Sequence, residues 1–303
     1  MKMPPTWFLI AATCVLATCL MLPAATPRHA LAQSFAPQER MAEVELLLPR
    51  SQARPGETLD VGVKFTMQPG WHIYWTNPGD SGQAPTFGWS LPGGGASRML
   101  RGGEWTATAP AFPTPDKFDA GGGLVGYGYS DTIIFPATLT IPASATPGQE
   151  VEVTVATKYL ICEEICLPEE AVASAKVLLT TAPESDDAKI VKQLKAARDR
   201  LPTKSRATAD PVAPGHDGPV TFSFDVPRGA KNVQLFPEAV SGINVEDISI
   251  EDAGGSHKAT YTVRRLAGGN VNRDSIPAVI GYDTRQGRRG MLVQLPIPPA
   301  YDE

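Results

Sequence analysis

Apolar and polar side chains alternate along much of this chain, and this period of two constrains the fold more than any other feature. In the clearest segment, Val151, Val153 and Val155 fall on one face of an extended strand, with Glu150, Glu152 and Thr154 on the other. Turns rich in proline and glycine separate such segments. The candidate strands between residues 40 and 182 are Ala42–Leu48, Leu59–Met67, Trp71–Trp75, Thr86–Leu91, Thr132–Ile141, Glu150–Ile161 and Ala171–Thr181.

This pattern predicts an all-β protein made of two immunoglobulin-like β-sandwich domains. Between two β-rich regions, Asp186 to Leu201 has helical spacing and is followed by a polar stretch rich in Pro, Thr and Ala. Strand-like segments return after residue 218. We therefore expect one sandwich over residues 33–182, a short helix and linker over 183–214, and a second, smaller sandwich over 215–303.

The first 32 residues have the features of an export signal that is removed from the mature protein. Lys2 supplies a short basic start, and an apolar run extends from Trp7 to Leu22. Ala30-Leu31-Ala32 is a small-x-small processing site, so cleavage is expected near Ala32. The apolar run is short for a transmembrane helix. The sequence therefore predicts an exported protein of a bacterial periplasm.

Removal of this signal leaves an acidic chain with two cysteines. Of the 27 basic and 32 acidic residues, Lys2 and Arg28 leave with the signal. The negative balance argues against a nucleic-acid partner, which usually requires a basic face. Of the four cysteines, Cys14 and Cys19 leave as well, so that Cys162 and Cys166 remain.

The remaining cysteines enclose three residues, and this spacing requires a turn if they pair. A fully extended strand would hold the two Cα atoms roughly 13 Å apart, whereas a disulfide needs them within about 7 Å. A strand runs into Cys162 and Pro168 follows Cys166, so the natural geometry is a hairpin-like tip. Such a pair can exchange electrons with another protein, form a local structural disulfide, or bind Cu(I) or zinc.

Loop length, ligand supply and local charge bear on these alternatives. Closing so short a loop is worth about 2 kcal/mol, which is little for a structural staple. Zinc would need further ligands, and the same region offers His72 alone, so neither a metal nor a cofactor is predicted. Nearby glutamates should raise the pKa of the thiols, unlike in a thioredoxin-type nucleophile. We favour a redox pair whose reactivity is set by its partner proteins, with a structural disulfide or a Cu(I) site as alternatives.

Two further motifs are interpreted first as structure. The segment from Asn77 to Gly82 (NPGDSG) is a turn, with partner contact as the second interpretation. Arg285, Arg288 and Arg289 are expected at a solvated hairpin tip.

Three segments in this order resemble a known family. They are Gly70 to Gly82 (GWHIYWTNPGDSG), Val125 to Tyr129 (VGYGY) and Cys162 to Glu169 (CEEICLPE). Together they look like the periplasmic N-terminal (alpha) domain of the thiol:disulfide interchange protein DsbD, and most of all like its ScsB-type branch, associated with suppression of copper sensitivity. The similarity is strong over residues 40–182 and less sharp through the linker and the second β-region.

The resemblance implies a function and a role for each cysteine. Such domains take electrons from a thioredoxin-like domain that is reduced through a membrane electron conduit. They pass them to periplasmic thiol-disulfide proteins, such as disulfide isomerases or cytochrome c maturation factors, as a protein-disulfide reductase does. By resemblance, Cys166 forms the mixed disulfide with partners and Cys162 resolves it. The chain ends at Glu303 without a conduit or a thioredoxin-like domain, so we expect a separate protein to reduce it.

The family also covers its cysteines with a mobile cap loop that bears aromatic residues. The matching stretch is roughly Lys117–Tyr127, where Phe118 and Tyr127 are the candidate shields, while Gly121–Gly123 departs from the family pattern. Trp71 and Tyr74 match aromatic positions near the site. These four aromatic residues join the two cysteines as the predicted site.

Overall fold

Strands dominate the computed structural model, which describes residues 40–92, 104–204, 219–252, 256–266 and 274–298. The predicted export signal and residues 205–214 of the predicted linker lie outside these ranges. In chain order the elements are β1 (Ala42–Leu47), β2 (Gln52–Ala53), β3 (Thr58–Met67), β4 (His72–Gly79), β5 (Thr86–Ser90), β6 (Thr106–Ala107), β7 (Asp116–Asp119), β8 (Val125–Ser130), β9 (Thr132–Thr140), β10 (Glu150–Cys162), β11 (Cys166–Leu179), α1 (Ala188–Asp199), β12 (Thr203–Lys204), β13 (Val220–Phe224), β14 (Lys231–Pro237), β15 (Ile243–Asp252), β16 (His257–Arg265), β17 (Ser275–Thr284) and β18 (Gly287–Pro296). Within these ranges no helix is long and apolar enough to cross a membrane.

The N-terminal sandwich consists of two sheets that enclose a hydrophobic core. One sheet has the order β1-β3-β9-β6, and the other has the order β2-β11-β10-β4-β8-β7, with β5 also paired to β10. Alternating residues of both sheets fill the space between them, because β-branched and aromatic side chains pack well on a pleated surface. The buried core includes Val63, Phe65, Phe135, Ile73, Trp75, Tyr129, Val155 and Ile161.

The C-terminal sandwich repeats this architecture on a smaller scale. Its sheets have the orders β12-β18-β17-β14 and β13-β16-β15. The core between them includes Phe222, Phe224, Tyr261, Leu235, Ile280 and Leu295. The predicted all-β fold of two sandwiches joined by a short helix is therefore confirmed, whereas the domain boundaries remain a prediction.

Helix α1 packs against the N-terminal sandwich. The Asp187 side chain caps it by accepting hydrogen bonds from the backbone N–H groups of Lys189 (2.7 Å) and Ile190 (3.3 Å). Its buried residues Leu194 and Ala197 pack in a small cluster with residues of β1 and β9. The chain then passes directly into β12, which pairs with β18 of the second sandwich.

An aromatic and ionic interface joins the two sandwiches. The ring of Phe236 on β14 packs edge-on against Trp75 (6.2 Å between centroids) and Tyr127 (5.2 Å) of the first sandwich. Arg288 donates to the carbonyl of Pro115 (3.0 Å) and pairs with Asp116 (3.2 Å). The described residues from Arg40 onward accordingly form one compact unit.

The expectation of a solvated arginine tip was wrong for Arg288. Its side chain is 5% exposed and also bonds the backbone carbonyl of Asn232 and the side chains of Gln234 and Asp283. Arg285 is exposed, as expected of a tip residue. A buried guanidinium needs such a full set of acceptors because desolvating an unpaired charge is costly.

Candidate redox site

A long antiparallel hairpin carries the two cysteines to its tip. The register between β10 and β11 runs without a bulge from Glu150↔Leu178 to Cys162↔Cys166. The two cysteines form a disulfide across this last pair, with their Cα atoms 4.2 Å apart. Glu163, Glu164 and Ile165 form the apex. The hairpin-like tip expected from the spacing is therefore present.

The two sulfur-bearing residues differ in their exposure to solvent. Cys162 lies between β11 and β4 in the sheet and is 2% exposed. Cys166 is exposed, because the other neighbour of β11, strand β2, pairs with it only at the far end, at Leu178 and Leu179. Ile165 beside it is 64% exposed. A partner protein can thus reach Cys166, while Cys162 is held beneath the surface.

His72 continues the row of side chains that starts at the disulfide. Cys162 is the register partner of both Cys166 on β11 and His72 on β4, and His72 is in turn the partner of Ser130 on β8. Directly opposed residues share one face of a sheet. His72 is 6% exposed, and burial lowers the pKa of its imidazole. The residues predicted for the site from sequence did not include this histidine.

Tyr74 lies two residues further along β4, on the same face, and contacts the exposed cysteine. Its hydroxyl lies 3.7 Å from Cys166 Sγ, and it donates there because a disulfide sulfur carries no proton. Burial raises the pKa of the Tyr74 phenol, and the Ser81 side chain opposes this effect. The tyrosine ring lies against Gly82, where a Cβ would come within 2.3 Å of two ring atoms.

Strands β7 and β8 form a hairpin, here called the cap hairpin, where the sequence predicted a loop. Phe118 on β7 packs its ring against His72 (4.0 Å between centroids) and near Tyr74 (5.9 Å). It is the register partner of Gly126, where a Cβ would come within 2.2 Å of the Phe118 ring. A Cβ at Gly128 would lie 2.0 Å from the carbonyl oxygen of Ile73. The glycines of the VGYGY motif thus allow β8 to approach β4 and leave space for Phe118.

The end of β4 and the bend that follows it, within Asn77–Gly82, fasten the cap hairpin to the sheet. The Asp80 backbone N–H donates to the carbonyl of Val125 (2.9 Å), and the Asp80 carboxylate accepts from the Val125 N–H (2.7 Å). Gly79 adopts a φ of 87°, which favours glycine, and a Cβ there would meet the Val125 carbonyl oxygen at 2.3 Å. The predicted turn was wrong for Asn77, Pro78 and Gly79, which end strand β4, because Asn77 and Gly79 remain within reach of neighbouring strands. The bend is confined to Asp80 and Ser81, and it positions the cap.

The other two predicted aromatic residues point elsewhere. Tyr127 pairs with Lys117 and so lies on the opposite face of the cap hairpin from Phe118. Its ring packs on Phe236 of the second sandwich, and burial raises the pKa of the phenol to about 12. Trp71 is partly buried and packs against the core of the first sandwich. The structure therefore brings Tyr74 to Cys166 and packs Phe118 on Tyr74 and His72, but places Tyr127 and Trp71 at packing positions.

The glutamates around the disulfide are not equivalent. Glu169 accepts hydrogen bonds from the Tyr159 hydroxyl (2.8 Å) and the Met41 N–H (3.0 Å), and Glu170 pairs with Lys158 (2.8 Å). The carboxylate of Glu163 lies against Gly70 at the apex. Glu169 and Glu170 therefore have hydrogen-bond or ion-pair partners of their own. Within the described ranges no group of three or more His, Cys, Asp or Glu residues is arranged to hold a metal ion.

The site is thus a disulfide at the tip of a long hairpin in an immunoglobulin-like sandwich, next to the Phe118 ring of the cap hairpin. Residues 43–177 match the model of the N-terminal region of the thiol:disulfide interchange protein DsbD. The predicted family resemblance is thus confirmed.

One solved structure extends the comparison to both sandwiches. The chain is similar to the N-terminal periplasmic domain of ScsB from Proteus mirabilis, with a TM-score of 0.60 over 88% of this chain and 96% of that one. The two sequences are 17% identical, so this likeness concerns the fold. It comes from the same branch that the sequence motifs resemble. No curated protein matches the chain in sequence.

Proposed function

We propose that this chain is a periplasmic thiol-disulfide exchange protein that relays electrons through Cys162 and Cys166. The electrons come from a thioredoxin-like reductant or a membrane electron conduit and go to periplasmic thiol-disulfide proteins. The observation that carries the proposal is the unequal exposure of the pair: Cys166 is exposed at the hairpin tip and Cys162 is 2% exposed beneath it. Exchange needs one sulfur that a partner can reach and a second that resolves the intermediate.

The exchange proceeds in two balanced halves. A thiolate of the reductant attacks Cys166 Sγ and Cys162 leaves as a thiolate. The second thiol of the reductant then releases Cys166, so that two electrons and two protons have been transferred. In the second half, the Cys166 thiolate attacks the disulfide of the client and one client sulfur leaves. Cys162 then attacks Cys166 Sγ, which restores the disulfide and releases the client as a dithiol.

Trapping the intermediate tests this proposal. In a Cys162→Ser variant, Cys166 forms a mixed disulfide that nothing in the chain resolves. We expect covalent adducts with thioredoxin-fold proteins in extracts of the periplasm, released by dithiothreitol and absent from a Cys162→Ser/Cys166→Ser control. A lack of such adducts would contradict the relay. A reduction potential below about −300 mV would instead mark a structural disulfide, which was the alternative left open by the sequence.

We further propose that Phe118 shields the buried side of the disulfide, next to Cys162, and that displacement of the cap hairpin widens access to the sulfur pair. Support comes from the packing of Phe118 on His72 and Tyr74, the two side chains that flank the sulfur pair. Gly126→Ala forces this ring away, because the new Cβ would lie 2.2 Å from it. Both Phe118→Ala and Gly126→Ala should therefore speed reduction of the disulfide by dithiothreitol severalfold. A matched Gly88→Ala variant, where the Cβ meets nothing within 4 Å, should not.

A further inference from the structure

His72 occupies the position in the sheet that lies directly beside the buried cysteine. It is the register partner of Cys162 across β4 and β10. Side chains in such a pair share one face, with Cβ atoms about 4.5–5.5 Å apart. The imidazole is 6% exposed and is covered by Phe118 at 4.0 Å between ring centroids. A buried basic group therefore lies on the residue paired with Cys162, the cysteine that a partner does not reach.

His72 Nε2 is buried and has no hydrogen-bond partner within the described residues. Burial lowers the pKa of the imidazole, and the backbone of Gly70 opposes this effect. In the neutral tautomer that carries its proton on Nδ1, Nε2 holds a free lone pair. A buried polar atom without a partner is uncommon and calls for an explanation.

The redox state of the structure supplies such an explanation. In the disulfide, Cys162 carries no proton and offers Nε2 nothing to accept. Reduction creates a thiol at this position, and with it a donor for the vacant lone pair. The unpartnered atom in the oxidised state thus becomes a proton acceptor in the reduced state.

The surroundings of His72 keep its imidazole neutral. Burial lowers its pKa, and the elements packed around it present few charges. Tyr74 on β4 and Cys162 on β10 are the titratable groups beside it, β7 contributes the apolar Phe118, and β8 contributes Ser130. The nearby carboxylate belongs to Glu163, which lies against Gly70. A neutral imidazole can take up a proton.

We propose that His72 Nε2 accepts the proton of the Cys162 thiol as this sulfur attacks the mixed disulfide at Cys166. This inference rests on the exchange function proposed above. The S–H bond of Cys162 breaks and an N–H bond forms at Nε2. The Cys162–Cys166 bond then forms, the bond from Cys166 to the partner breaks, and the partner leaves as a thiolate. The imidazolium afterwards returns its proton to solvent or to the departing thiolate.

Cys162 needs such help more than Cys166 does. A thiol with the ordinary pKa of about 8.5 is only about 3% ionised at pH 7. Burial disfavours the thiolate further. If His72 takes the proton as the new S–S bond forms, Cys162 attacks without ionising first, and such general-base help should speed this step at least about tenfold at pH 7.

The reaction of the reduced protein with 5,5′-dithiobis(2-nitrobenzoate) isolates this step. Attack by Cys166 releases the first thionitrobenzoate, and attack by Cys162 on the resulting mixed disulfide releases the second. We expect His72→Phe, which keeps an aromatic ring under Phe118, to slow the second release at least tenfold at pH 7. The first release should stay within about twofold. The deficit should shrink as pH rises, since hydroxide then ionises Cys162 without help.

Two further variants separate a chemical role from a structural one. His72→Gln, which is polar but not basic at neutral pH, should show the same slow second release. Circular dichroism checks that each variant is folded, and a folded variant of either kind is sufficient for the test. The matched control is His257→Phe. His257 also stacks on a phenylalanine, Phe224 (5.7 Å between ring centroids), and its buried Nδ1 has no hydrogen-bond partner within the described ranges. Unlike His72, it lies in the second sandwich, away from the cysteines. This control should leave both releases unchanged.

A second release that is unchanged in His72→Phe, or slowed equally at every pH, would overturn the role of His72. That result would leave the relay intact, because the reagent replaces the partner protein. Conversely, a failure to capture partners with Cys162→Ser would overturn the relay while the proton transfer remained measurable.

Discussion

Tyr74→Phe removes one oxygen atom from the site and tests how the exposed cysteine is activated. The hydroxyl lies 3.7 Å from Cys166 Sγ, and the ring, 1% exposed, packs near Phe118 and against Gly82. Phenylalanine keeps these ring contacts. In the reduced protein the same hydroxyl can donate to the Cys166 thiolate, so the variant removes a hydrogen bond that stabilises the attacking species.

The size of the effect follows from two opposing contributions. A hydrogen bond to a charged acceptor contributes about 1.5–3 kcal/mol. The long contact places this one at the low end, and about 1.5 kcal/mol corresponds to roughly tenfold less thiolate at pH 7. Each remaining thiolate is more nucleophilic, by about threefold for a Brønsted coefficient of 0.4–0.5. We therefore expect the attack by Cys166 to be about threefold slower at pH 7. At high pH, where the Cys166 thiol is fully ionised in both proteins, the attack in Tyr74→Phe should be about threefold faster.

The rate of attack by Cys166 as a function of pH should therefore cross between Tyr74→Phe and the parent protein. It is measured most simply in a Cys162→Ser background, where one thionitrobenzoate is released. The matched control is Tyr159→Phe, which removes a hydroxyl of the same sandwich that donates to Glu169 (2.8 Å) and not to sulfur. Its profile should coincide with that of the parent. If the Tyr74→Phe profile coincides as well, or lies below the parent by one factor at every pH, the hydroxyl does not stabilise the thiolate.

Two more predictions concern the cap hairpin. Gly128→Ala should lower the free energy of unfolding by about 2 kcal/mol or more, because its Cβ would lie 2.0 Å from the Ile73 carbonyl oxygen, whereas Gly88→Ala should be near neutral in the same urea titration. Tyr127, whose pKa is raised to about 12 by burial, stabilises the fold fully below pH 10, and this contribution is lost as pH rises from 10 through 12. The loss is on the order of 2–3 kcal/mol, so Tyr127→Phe should flatten the alkaline fall of stability, and an equally steep fall would contradict this.

The disulfide hairpin could be predicted from sequence because its signals are local. Alternation through Val151, Val153 and Val155 continues without a break to the tip, and the register follows it to Cys162. Spacing alone then required a turn between the cysteines. The buried or exposed state of each cysteine depends instead on which strands lie beside β10 and β11, and no local pattern encodes that.

The cap hairpin was missed because its strands violate local preferences. Glycine is disfavoured in strands, yet Gly126 and Gly128 lie within β8. These glycines are required by tertiary contacts: Gly126 leaves room for the Phe118 ring, and Gly128 leaves room for the backbone of β4. Arg288 was misjudged for a similar reason, since its acceptors at Pro115 and Asn232 lie far away in sequence.

The second sandwich contributes to the site by holding one end of the cap hairpin. Asp116, where β7 begins, is bound by Arg200 after helix α1 (2.8 Å) and by Arg288 of the second sandwich (3.2 Å). At the other end, Gly121–Gly123 are exposed and have positive φ angles, and a Cβ added at any of them would meet nothing within 4 Å. Phe118 lies between the anchored base and this open tip. A motion that uncovers the disulfide can therefore bend the tip while the base stays fixed, which gives the second sandwich a mechanical role without direct contact with either cysteine.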